Sequence, residues 1–129
     1  MNYAQQSART AYQGNAVATA SPARLLVMLF ERLVLDVERG QAALLAGRRE
    51  EMNQQFVHAQ AIVTELQSTL DVDAMPGGRE MLALYDYVQR QLIKANVSGD
   101  QGAAADAVRF CRELCDTWRQ AALLAAVSA

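Results

Sequence analysis

His58 is the one histidine among 129 residues, and a lone histidine in a helix-rich chain raises phosphoryl transfer as its chemistry. That reaction wants an exposed imidazole with a cation at hand to hold the phosphoryl group. The apolar seam around it runs through Phe56 and Ala59, leaving His58 on the polar side, and Ala59-Gln60-Ala61-Ile62 supplies no lysine. A solvated surface histidine is the first expectation, and a histidine phosphotransfer module using His58 is the alternative function. Cys111 and Cys115 lie one helical turn apart on an apolar face, where reduced thiols pack as small hydrophobes. The Glu-x-x-His pairs of di-iron bundles are absent, as are Cys-x-x-Cys-His, a glycine-rich phosphate loop and a nucleophile elbow. No catalytic residue, metal site or cofactor is expected, and the chain does not read as an enzyme.

The elements that position these residues are helices. Ser21 is a good N-cap, and Pro22 suits the first helical position, where its missing N–H costs nothing. A first helix is expected from Pro22 to Ala46, closed by Gly47 in the left-handed conformation. Leu25, Leu26, Met28, Leu29, Phe30, Leu33, Val34 and Val37 cover more of it than a bundle seam needs. Gly40 weakens its second half by roughly 1 kcal/mol relative to alanine. From Glu50 to Leu70, Met52, Phe56, Ala59, Val63, Leu66 and Leu70 form the seam of a helix packed at a small crossing angle. A third helix from Arg79 to Asn96 turns Leu82, Tyr85, Val88 or Gln89, and Leu92 inward, with Asn96 as its cap. A fourth, from Ala103 to Ala126, is carried by Ala104, Val108, Cys111, Cys115, Trp118 and Ala122; Leu114 and Trp118 join the core, and the end frays. The fold class is all-α, an antiparallel up-and-down four-helix bundle with an N-terminal arm. The arm is residues 1–16 and the bundle domain 17–129, with Tyr3 and Tyr12 as the arm's large anchors.

A formal net charge of −2 arises from locally cancelling signs, as in Arg48-Arg49-Glu50-Glu51, so no nucleic-acid or anionic-membrane surface is expected. No apolar run reaches the ~20 residues of a membrane span, and the N-terminus lacks the basic start and apolar run of a secretory signal. A cytoplasmic location without stable membrane insertion follows as the expectation. The chain is 52% apolar, and arcs wider than a four-helix core requires mark a partner surface, unless they merely reflect alanine. Periodicity leaves both readings open.

Tyr12-Gln13-Gly14-Asn15-Ala16-Val17-Ala18-Thr19-Ala20-Ser21-Pro22, followed by Leu25, Met28, Leu29 and Phe30, resembles the opening of the flagellar export chaperone family of the FliS type. Leu70-Asp71, Leu84-Tyr85-Asp86-Tyr87-Val88, Leu92-Ile93-Lys94-Ala95-Asn96 with Asp100, and finally Leu114 and Trp118 continue the resemblance in order. Arg9 stands where that family usually has a tyrosine, Phe30 replaces another, and Glu31-Arg32 replaces Asp-Gly.

The resemblance implies a cytoplasmic chaperone that binds the disordered C-terminal segment of flagellin and delivers it to the flagellar export apparatus of type III. Such segments become helical on polymerising, and a bundle with long apolar grooves could sheathe their stripes. The expected flagellin-binding residues are Tyr12, Val17, Met28, Tyr85, Tyr87 and Val88. Residues 2–16 are expected to cover part of the groove until the client displaces them. A homodimer formed by self-pairing of the excess apolar surface is the structural alternative.

Overall fold

The computed structural model describes residues 21–128 as helices α1 (Pro22–Leu45), α2 (Arg49–Thr69), α3 (Gly78–Ser98) and α4 (Gln101–Ser128). Among the described residues there is no strand, as the all-α expectation requires. The N-terminal arm, with Tyr3, Tyr12 and Val17, lies outside them.

The helix ends follow from local chemistry. The Arg24 amide donates to Ser21 Oγ at 3.1 Å, so Ser21 caps α1 ahead of Pro22. At the other end the Gly47 amide donates to the Leu44 carbonyl and the Arg48 amide to Ala43, a Schellman pair made possible by Gly47 at φ 75°. Gly99, at φ 63°, ends α3, so Asn96 is not its cap. Asn96 instead donates through Nδ2 to Asn53 Oδ1 on α2. Asp100 caps α4 by accepting from the Ala103 amide at 2.8 Å, a bond that holds its carboxyl below the usual carboxylate range.

The described residues fall into two compact units. Phe30–Asp116 contains most of the helical length, and its core joins Phe30, Leu33 and Val37 of α1 to Met52, Phe56, Val63 and Leu66 of α2, Tyr85, Val88 and Leu92 of α3, and Ala104, Cys111 and Leu114 of α4. Antiparallel register between α2 and α3 is written in their side-chain bonds: Asn53 with Asn96, Gln60 with Gln89, Gln67 with Asp86. Gln91 and Tyr87 of α3 reach Asp106 of α4, and Arg112 of α4 reaches Glu38 of α1 at 2.7 Å. Gly40 has a packing role that helix propensity alone hides. A Cβ there would sit 2.4 Å from Phe56 Cε1, so glycine lets α1 and α2 approach across a buried ring.

The second unit, as far as it is described, comprises residues 21–29 of α1 and 117–128 of α4. The helix persists to Ser128 where fraying was expected.

Candidate functional site

In the unit made of residues 21–29 and 117–128, small side chains leave an apolar hollow. Ala23 and Leu26 of α1 and Trp118, Ala121, Ala122 and Ala125 of α4 line a cavity of about 190 Å³. The four α4 positions recur at the spacing of a single helix face. Its alanines stop at Cβ, so the wall recedes where larger side chains would fill it. Trp118 is half-buried in this wall, not sealed in the core as expected, whereas Leu114 is buried. The same unit exposes large apolar groups: Leu25 and Met28 on α1, and Leu123, Leu124 and Val127 on α4, the last at 84% exposure. Exposed apolar side chains of this size cost free energy in water unless a partner covers them. The hollow carries no ionisable side chain, so it can hold an apolar group but cannot move a proton.

The residues expected at the site separate once placed. Met28 is exposed. Tyr85 and Val88 are corrected to core residues: both are almost completely buried, and the Tyr85 ring packs against Phe30 with centroids 6.2 Å apart. A side chain on the inward stripe of α3 presents nothing to a groove in this fold. Tyr87 lies between these cases. Its ring meets Phe110 edge-on at 5.2 Å, and its hydroxyl donates to Asp106 Oδ2 at 3.0 Å. That bond raises the phenol above its ordinary value and, with the Arg109 guanidinium, lowers the Asp106 carboxyl. Val57, Ile93 and Val97 form a smaller set of exposed apolar residues on α2 and α3.

Reading the sequence missed two features. The Trp118-Ala121-Ala122-Ala125 wall was signalled by its spacing but masked by alanine's indifference to burial. Asp36 was hidden inside the apolar run of α1. It is fully buried, its Oδ1 accepts from Arg32 Nε at 3.0 Å, and its Oδ2 accepts from His58 Nδ1. His58 is half exposed, as expected, but is tethered to α1 rather than simply solvated. Among the described residues no cluster of potential metal ligands occurs, and no helix is long and apolar enough to cross a membrane.

Comparison with known proteins accords with this architecture. Residues 4–125 match the family described as flagellar protein FliS. A flagellar secretion chaperone FliS of Bacillus subtilis (strain 168) is 34% identical over 116 residues, which span 90% of this chain and 86% of that protein. The like-named protein of Escherichia coli (strain K12) is 25% identical over 84% of this chain and 82% of its own length. A crystal structure of a flagellar chaperone from bacteria superposes with a TM-score of 0.70 at 19% identity, covering 91% of this chain and 96% of that one, and so shares the fold. With nearly its whole length matched, the chain belongs to the flagellar protein FliS family.

Proposed function

We propose that this protein is a cytoplasmic flagellar secretion chaperone that sheathes the disordered C-terminal segment of flagellin and keeps it competent for the flagellar export apparatus. Members of its family are chaperones rather than enzymes. One observation supports the client site: the apolar hollow walled by Trp118 and alanines stands in the same compact unit as exposed Leu25, Met28, Leu123, Leu124 and Val127. A client segment with one apolar helical face would seat large side chains in the hollow, and the exposed residues, on other faces of the same two helices, would offer it further apolar contacts. Alanine walls favour this mode, because they let a helix backbone come close. Ordering the segment would consume about 2 to 5 kcal/mol of the contact energy, which keeps the complex releasable. Met28 and Tyr87 remain proposed contacts, together with Tyr12 and Val17 from the region before Ser21.

Calorimetric titration of the full chain with a flagellin C-terminal peptide tests this reading. A saturable complex with a negative heat-capacity change, weakened at least tenfold by Ala122→Glu in the wall of the hollow, is the expected result. A stable homodimer indifferent to peptide would overturn it in favour of self-pairing.

A further inference from the structure

The Asp36, His58 and Arg32 cluster plays no part in the client-binding reading, and its geometry has its own chemistry. Asp36 is the one buried charged residue of the core described here, placed on α1 among Leu33 and Val37. Each of its oxygens has a separate partner: Arg32 Nε on Oδ1, His58 Nδ1 on Oδ2. With Nδ1–H donating to the carboxylate, the imidazole is fixed as the tautomer whose lone pair is on Nε2. The ring is 53% exposed, and Nδ1 is the nitrogen turned to the buried carboxylate, so Nε2 belongs to the part that meets solvent. Arg32 is 51% exposed and its Nε binds the other oxygen of the same carboxylate, so a guanidinium fork and the imidazole share Asp36 as their partner.

We infer that His58 Nε2 is an acceptor site for a phosphoryl group from a small acyl phosphate, with Asp36 positioning the ring and Arg32 meeting the phosphoryl oxygens. In the step, the Nε2 lone pair attacks phosphorus and an N–P bond forms. The P–O bond to the acyl group breaks, and the carboxylate leaves with that electron pair. Nδ1 keeps its proton, and the positive charge that develops on the ring is offset by Asp36. No oxidant, reductant or further proton donor enters. The fold ties an arginine of α1 to the carboxylate that holds His58, whose own sequence neighbours supply no lysine. The phosphoryl group would carry about two negative charges at neutral pH, one of them offset by the ring, and would compete with Asp36 for Arg32 at the α1–α2 seam.

The test uses the full folded chain with acetyl phosphate, read by phosphorus NMR and by mass spectrometry of peptides. The expected result is one acid-labile phosphoryl group on Nε2 of His58, formed at least about tenfold faster than on the same chain unfolded in guanidinium, a floor below the ~10²-fold that a positioned acid–base group contributes. His58→Gln abolishes it. Asp36→Asn, folded by circular dichroism, slows it by a similar factor, because the amide can donate to Nδ1 and shift the lone pair off Nε2. Arg32→Gln, at an exposed position, slows it less and leaves the site of attachment unchanged. Equal rates for the folded and unfolded wild-type chain, or attachment at Nδ1 or at another residue, would overturn the proposal without any variant having to fold.

Discussion

Gly40 shows at a single residue how packing reverses a propensity argument. Alanine there would favour the helix by about 1 kcal/mol in isolation. Its Cβ would lie 2.4 and 2.6 Å from two carbons of the Phe56 ring, which is fully buried and has nowhere to retreat. Overpacking of this kind costs about 1–3 kcal/mol. Gly40→Ala is therefore expected to destabilise the protein, measured as a lower midpoint in urea at unchanged slope; a higher midpoint would mean that α1 and α2 part without cost. Tyr87 offers a second residue-scale test. Its hydroxyl is the largest of the influences that lower Asp106, so Tyr87→Phe should raise the Asp106 titration seen by NMR. Because the folded carboxyl is depressed, its contribution to stability is complete above the unfolded value near 3.9 and fades as pH falls below it. The variant should therefore lose less stability than wild type across that acid window. Neither effect is visible in sequence: glycine reads only as a weak helix former, and Tyr87 and Asp106 stand on different helices.

At the scale of elements, more was legible. Ser21-Pro22 and Gly47 bracket α1 because caps are local chemistry, and the structure closes the helix with those residues. Met52, Phe56, Ala59, Val63 and Leu66 of the expected α2 seam are buried, since a seam needs only its own periodicity, whereas Leu70, expected to complete it, is the half-buried residue that caps the helix. Asn96 misled because an asparagine near a helix end reads as a cap until Gly99 takes that role and Asn53 supplies a partner across the α2–α3 seam. Tyr85 and Val88 misled differently: a motif marks a residue as needed without saying whether it contacts a partner or holds the core. The cysteines of α4 were read correctly as core, free and buried. Burial, with Cys115 close by, pushes the Cys111 thiol up to about 12. Thiolate is the reactive form, so at pH 8 both cysteines should resist a chromogenic disulfide reagent until the chain unfolds, following the unfolding rate rather than reagent concentration. Prompt labelling in the native state would mean that α4 opens locally around them.

For the whole molecule, the decisive relation is between an apolar surface and whatever competes with the client for it. An apolar hollow of about 190 Å³ is a liability in water unless something occupies it part of the time. The proposed occupant is the chain's own N-terminal segment, whose Ala4, Ala8, Ala11 and Tyr12 have the spacing that a helix would gather on one apolar face. An occupant tethered to the site acts at high effective concentration, so even weak docking reduces the apparent affinity for a free client by the fraction of sites it leaves open. Deleting residues 2–14 should then tighten flagellin peptide binding or speed its association, while Ala122→Glu, in the wall of the hollow, should weaken it again in the deleted background. The order of effects carries the discrimination. If deletion alone weakens binding, the segment contacts the client directly and the competition is absent; if deletion tightens binding and Ala122→Glu leaves it unchanged, the segment competes for a surface other than the hollow of α1 and α4.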